Sequence, residues 1–253
     1  MADLLAGIAL TAGAGIMGGA MNALAGGGTF ATLPALIALG LPANIANATS
    51  NFALMPGACS SAYVYRDELR PLGGVKVGWL ALITFIGGLI GGLLLVITPT
   101  RAFDLLIPWL LLFALVAMLF GLRASAWLRA RVAIGPRTLV GAQVLLGIYG
   151  GYFGGGVGLI TTALYGLLAG ISVREMFAPR TLMLAVANLA AAVIFLWFAM
   201  IDWRTVVPML IGALIGGWLG AHVGKKLPVR AVRIWTLGVT AATTAVFFVR
   251  AYG

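Results

Sequence analysis

Ala25-Gly26-Gly27-Gly28-Thr29 and Phe153-Gly154-Gly155-Gly156-Val157 interrupt apolar sequence at nearly equivalent points in the two halves of a 253-residue chain. The two glycine runs start 128 residues apart, close to half the length. Three glycines inside a membrane-length apolar stretch break a helix and leave backbone N–H groups without intrahelical partners. Hydrocarbon does not tolerate this unless the freed backbone is buried in protein or lines a cavity. Paired breaks in two halves of a chain are the best sequence pointer to the binding site of a transporter.

The surrounding composition sets the solvent. The chain is 62% hydrophobic and 9% charged, with a mean hydropathy of +1.10, against roughly 25% charged residues in soluble domains. Apolar runs recur along nearly the whole length, so the sequence reads as an all-α polytopic membrane protein. The formal charge of +10 sits in short gaps between apolar segments, which fits membrane topogenesis rather than a nucleic-acid patch. Cys59 is the single cysteine; it reads as a small apolar filler. The acidic start Met1-Ala2-Asp3-Leu4 lacks the basic region of a secretory signal, so the first apolar stretch is expected to stay in the mature protein.

Hydropathy and breakers predict ten transmembrane or re-entrant segments: 4–24, 28–40, 45–65, 73–97, 103–122, 137–153, 156–170, 178–200, 204–223 and 231–250. The second and seventh are short for a helix that needs about 20 residues to cross. Each follows a triple glycine, as a short tilted helix or as half of a re-entrant hairpin. If every segment changes sides, one face receives Arg66, Arg70, Lys76, Arg123, Arg129, Arg131, Arg137, Arg174, Arg180, Lys225, Lys226, Arg230 and Arg233. The other receives Arg101, Arg204 and Arg250. This asymmetry makes the first face cytoplasmic and puts both termini in the periplasm of a bacterial inner membrane. Pairing segments one and two, or six and seven, as re-entrant hairpins keeps the same parity.

The halves, 1–125 and 126–253, resemble each other in order. The glycine runs match, Leu41-Pro42-Ala43 matches Ile171-Ser172-Val173, and Leu89-Ile90-Gly91-Gly92 matches Leu214-Ile215-Gly216-Gly217. With five segments per half, the second copy enters the membrane from the opposite side, giving two inverted repeats. Gly91-Gly92 and Gly216-Gly217 read as close helix-packing positions; the triple glycines read as functional breaks.

The acidic residues Asp3, Asp67, Glu68, Asp104, Glu175 and Asp202 all fall at segment ends or in loops. A bound organic cation would lack a counter-charge, so an anionic or neutral substrate fits better. A half-helix N-terminus carries roughly +0.5 elementary charge and free N–H donors. Gly26, Gly27, Gly28, Gly154, Gly155 and Gly156 let a ligand approach that backbone. Thr29, Thr32, Thr161 and Thr162 offer hydroxyls, either to a ligand or to helical carbonyls. The densest polar cluster is Asn44, Asn47, Thr49, Ser50 and Asn51. It caps a helix or, through Thr49, Ser50 and Asn51, lines the pathway. Arg180, after Pro179, either pairs with a substrate anion or acts as a cytoplasmic topogenic charge. His222 reads as interfacial, Asn22, Gln143 and Asn188 as interhelical hydrogen-bonding residues, and Trp79, Trp109, Trp203 and Trp235 as an aromatic belt.

The chain resembles the sulfite exporter TauE/SafE family of membrane permeases. The resemblance rests on Gly26-Gly27-Gly28 with Pro34, on Gly40-Leu41-Pro42 and Ala48-Thr49-Ser50, and on Gly154-Gly155-Gly156 with the Gly170 region. It covers nearly the whole chain. It implies transport of sulfite, thiosulfate or an organosulfonate such as sulfoacetate, in either direction. Carry-over is limited to the glycine breaks and the Ala48-Thr49-Ser50 turn. The counterpart Pro179-Arg180-Thr181 departs from that small-polar pattern.

The residues therefore predict a secondary transporter for a small sulfur-containing anion, working by alternating access around both breaks. No cofactor or metal site is expected. The expected partners are the substrate and the lipid bilayer, with a homo-oligomer left open. One rival is a ten-helix exporter of another small metabolite. The other is an integral-membrane enzyme, for which one histidine, one cysteine and no intramembrane carboxylate pair make a poor constellation.

Overall fold

A computed structural model describes residues 2–129, 135–172, 174–224 and 226–253. Ten α-helices follow in order: α1 (Ala2–Leu24), α2 (Thr29–Ala38), α3 (Ala43–Val64), α4 (Val77–Ile97), α5 (Thr100–Arg129), α6 (Pro136–Tyr152), α7 (Val157–Leu168), α8 (Phe177–Trp197), α9 (Trp203–Gly224) and α10 (Val229–Tyr252). They match the ten expected segments to within a few residues, except that α5 extends through the expected junction of the halves. Among the described residues, six are long and apolar enough to cross a membrane: α4, α8, α9 and most of α1, α5 and α10. α2 and α7 have 10 and 12 residues, or about 15 and 18 Å of helix, about half of a 30 Å hydrocarbon core.

Small residues place the helices. α1 and α9 run in the same direction with their backbones in contact. A Cβ on Gly15 would strike Met209 O, one on Gly19 would strike Ala213 O, and one on Gly216 would strike Ile16 O. α6 and α4 meet in the same way: Gly147 against Thr84 O, Gly151 against Gly88 O, and Gly91 against Ile148 O. The next glycine of each pair faces a further helix, Gly217 against Gly57 of α3 and Gly92 against Ala191 and Ile194 of α8. Gly91-Gly92 and Gly216-Gly217 are therefore packing positions, as expected. In a bilayer, where lipid tails are as apolar as leucine, this close backbone approach is what holds helices together.

α3 and α8 run in opposite directions at the centre. The ring of Tyr65, just after α3, stacks on Phe177 at the start of α8 with centroids 5.7 Å apart. At the far end the Asp202 N–H, after α8, donates to Thr49 Oγ1 at 3.0 Å. Large apolar side chains such as Ile86, Ile97, Phe120, Val193, Ile211, Val246 and Val249 cover the outside, as lipid contact requires. Trp79 and Trp203 stand exposed at the starts of α4 and α9. Trp109 lies ten residues into α5 rather than at its end.

The end where α3 and α9 finish and α4, α8 and α10 begin carries Arg66, Arg70, Lys76, Arg174, Lys226, Arg230 and Arg233. Arg131 and Lys225 of the expected basic face lie outside the described residues, as does Val173 of the repeat match. Arg250 at the opposite end pairs with Asp104 at 3.6 Å. Cys59 is exposed on α3.

Gly216→Ala and Gly91→Ala should each destabilise the protein by about 1–3 kcal/mol through overpacking against backbone. Gly141→Ala, with nothing within 4 Å of its Cβ, serves as the control. Thermal unfolding in one detergent should lower the first two midpoints and leave the third unchanged or raised.

Candidate functional site

α1 ends where the Gly26 backbone enters the left-handed region at φ 76°, and α6 ends in the same way at Gly154 with φ 72°. That conformation suits glycine, because a Cβ there crowds the backbone. Each chain then doubles back into a half-length helix, α2 or α7. The two breaks meet inside the protein. The Gly158 N–H donates to Gly26 O at 3.1 Å, and a Cβ on either residue would collide with the Cα of the other. Gly158 was not among the expected site residues. As one glycine among 36, inside a helix, it had no local signal.

Polar groups gather around this crossing. Gly154 lies beside Asn51 and Thr29: its Cβ would be 3.0 Å from Asn51 Nδ2 and 3.7 Å from Thr29 Oγ1. Asn51 is 2% exposed, yet neither atom of its amide has a hydrogen-bond partner. A buried, unsatisfied amide costs about 1–3 kcal/mol. Thr29 Oγ1 and Thr161 Oγ1, both buried, make no hydrogen bond among the described residues. The backbone N–H groups of Gly27, Thr29, Gly155, Gly156 and Val157 likewise have no partner there. Others are engaged. The Gly28 N–H donates to Asn22 Oδ1 at 2.6 Å, so Asn22 braces its own break instead of bridging helices. The arrangement is a ring of N–H, O–H and amide donors around two helix N-termini. No acidic side chain lies among them.

The other expected residues divide. Thr32 and Ser50 share a hydroxyl–hydroxyl hydrogen bond that joins α2 to α3. Thr32 and Thr162 also return to helical carbonyls, Gly28 O at 3.2 Å and Gly158 O at 2.7 Å. Thr49 holds the loop before α9. The expected turns at Ala48-Thr49-Ser50 and Pro179-Arg180-Thr181 are helical, inside α3 and α8. Pro42 is the N-cap of α3, so helix begins before the polar cluster and Asn47, Thr49 and Ser50 do not cap it; Asn47 instead donates to the carbonyl of Tyr152, the last residue of α6, at 3.0 Å. Gln143 does bridge helices, donating to Thr84 Oγ1 at 2.6 Å and accepting from Tyr165 at 2.8 Å. Asn188 Oδ1 has no partner. His222 is exposed at the end of α9 against Trp218, away from the crossing and consistent with an interfacial residue.

Arg180 is 4% exposed, so it is not a solvated topogenic charge. Its Nη2 donates to Ala23 O at 3.2 Å and Leu24 O at 2.8 Å, where the α1 dipole presents negative ends. Its guanidinium lies 4.7 Å over the Phe177 ring. Arg180 thus braces the first break from below.

A family model described as "Sulfite exporter TauE/SafE" matches residues 11–247. The chain belongs to this family of membrane transporters. A "Probable membrane transporter protein" of Haemophilus influenzae is 31% identical over 235 residues, 90% of each chain. "Probable membrane transporter protein ORF9" of Sinorhizobium sp is 29% identical over 220 residues, 84% of this chain and 80% of the relative. "Probable membrane transporter protein YfcA" of Escherichia coli K12 is 25% identical over 240 residues, covering 94% and 88%. No solved structure matches at a significant level. This TauE/SafE protein is therefore a multi-pass membrane transporter whose two glycine breaks meet in its interior.

Asn22→Leu should destabilise it by about 1–3 kcal/mol by leaving the Gly28 N–H unpartnered. Asn22→Asp, which keeps an acceptor, should lose less. Unfolding of both variants in matched micelles gives the comparison.

Proposed function

We propose that this TauE/SafE protein is a secondary transporter of a small sulfur-containing anion, such as sulfite, thiosulfate or an organosulfonate like sulfoacetate. It would act by alternating access across the bacterial inner membrane. The carrying observation is the donor ring at the crossing: free N–H groups of two half-helices, the bare Asn51 amide and the Thr29 hydroxyl, with no carboxylate nearby. Two N-termini supply about one unit of positive charge, enough for a monoanion, and Asn51 and Thr29 supply direction. Gly26, Gly27, Gly28, Gly154, Gly155 and Gly156 expose the backbone, Thr161 adds a hydroxyl, and Arg180 serves the approach from the basic end. Thr49 and Ser50 hold the walls.

The substrate class follows the family's description combined with this donor set. Residues 1–125 and 126–253 act in this reading as inverted repeats. The exchange of α1 for α6 and α9 for α4 in equivalent glycine contacts, with α3 antiparallel to α8, supports it. The excess of Lys and Arg at one end supports a cytoplasmic assignment for that end and periplasmic termini.

Counterflow of labelled sulfoacetate, thiosulfate and sulfite in proteoliposomes tests the reading. Saturable exchange is expected. Asn51→Leu should lower its kcat/KM by about tenfold or more through loss of the amide's contact. Asn51→Asp should be worse, since it sets a negative charge beside the anion. An absence of saturable exchange across a wide panel of sulfur oxoanions would sink the substrate assignment.

A further inference from the structure

At the basic end, one turn below the crossing, a cavity of about 400 Å³ opens between α1, α5, α7, α8 and α10. Its walls are apolar except for Thr162 and three arginines, Arg180, Arg230 and Arg233, and no acidic residue lines it. The volume suits a small ligand. Each arginine keeps part of its fork uncommitted. Arg180 uses both Nη2 hydrogens on the α1 carbonyls and one Nη1 hydrogen on Thr162 Oγ1 at 3.5 Å, which leaves its second Nη1 hydrogen; its unpartnered Nε is enclosed by protein. Arg233 uses Nη2 on Met118 O and Leu119 O, both at 3.1 Å. Arg230 makes no hydrogen bond or ion pair among the described residues.

We propose that this cavity is a second anion site that holds a doubly charged oxoanion group, distinct from the donor ring at the crossing. The three guanidinium groups at this pocket, Arg180 buried inside, Arg233 half-buried and Arg230 exposed at its mouth, carry more charge than a monoanion compensates. Planar forks match the oxygen edges of a sulfate-like or phosphate-like group. Arg180 is the deepest of the three, and its remaining Nη1 hydrogen is the donor that such a ligand would satisfy. The crossing differs in kind: its donors are neutral and suit a single charge. Ala25 and Leu159 line the cavity while their neighbours Gly26 and Gly158 form the crossing. An oxoanion held here therefore sits at the entrance to the crossing from the basic end. The same chemistry is offered by a free dianion and by a phospholipid headgroup.

The test uses the full chain in nanodiscs of phosphatidylcholine, with sodium sulfate titrated at constant ionic strength against chloride and binding followed by calorimetry and thermal unfolding. Saturable sulfate binding is expected, weakened about tenfold in Arg230→Gln and in Arg233→Gln by the loss of a charge-assisted contact. Arg230 holds nothing else, so its variant reports on the cavity even if Arg180→Gln fails to fold. Asn51→Leu should keep sulfate binding, which separates this site from the transport site and from the fate of the substrate assignment. Should sulfate have no effect while phosphatidylglycerol in the disc stabilises the wild type but not Arg230→Gln, the site stands and its ligand is a lipid phosphate. Equal responses of wild type and both arginine variants to sulfate and to anionic lipid would overturn the proposal.

Discussion

The contact between Gly26 and Gly158 is the constraint on which the rest of the fold depends. Two interrupted chains cross at backbone distance inside a protein whose solvent is hydrocarbon, and one interruption accepts a hydrogen bond from the other. An open break in lipid would strand polar backbone at several kcal/mol per group. Crossing satisfies part of that requirement and encloses the remainder. The approach is possible only where neither chain carries a Cβ. It also requires the helices that deliver the breaks to lie unusually close to their neighbours. The glycine faces of α1 on α9 and of α6 on α4 provide that proximity. Helix packing and site geometry are thus one problem, solved by one residue type.

Electrostatics follows from the same arrangement. α1 delivers a C-terminal dipole end to the neighbourhood where α2 and α7 present N-terminal ends. Left alone, the α1 carbonyls would partly cancel the positive potential of the two N-termini. Arg180 removes that conflict by donating to Ala23 O and Leu24 O. Asn22 has a complementary role, holding the Gly28 N–H with an acceptor that carries no net charge. The donor ring is left electropositive without a formal cation in it.

Much of this architecture was legible in the sequence, and particular residues show why. Hydropathy and glycine punctuation located all ten helices, because a membrane helix must be apolar along its length and a triple glycine must end it. The meeting of the two breaks was legible from their matched positions. Gly158 was not, since its meaning comes from a chain 132 residues away and nothing local distinguishes it. Arg180 misled in the other direction. Beside Pro179 and close to Arg174 it reads as an interfacial charge, and only the distant α1 carbonyls explain its burial. Thr49 and Ser50 read as a turn because polar residues cluster there, whereas Pro42 starts the helix seven residues before Thr49 and carries them into its interior. Asn51, read as a pathway candidate, is the member of that cluster left with an unbonded side chain at the crossing.

The two halves are equivalent in packing and unequal in chemistry, and the inequality bears on mechanism. Gly15, Gly19 and Ile16 have counterparts in Gly147, Gly151 and Ile148, so the scaffold treats both sides alike. Polar residues do not. Asn22 braces the first break, while Gly150 stands 128 residues later and the second break is held instead by Asn47, which donates to Tyr152 O, and by Tyr149, whose hydroxyl donates to Gly155 O. The cation of Arg180 closes the end of α1, while the neutral amide of Asn47 closes that of α6. With Arg180, the one arginine buried among the described residues, under the first break, this protein concentrates positive charge on one approach to the crossing.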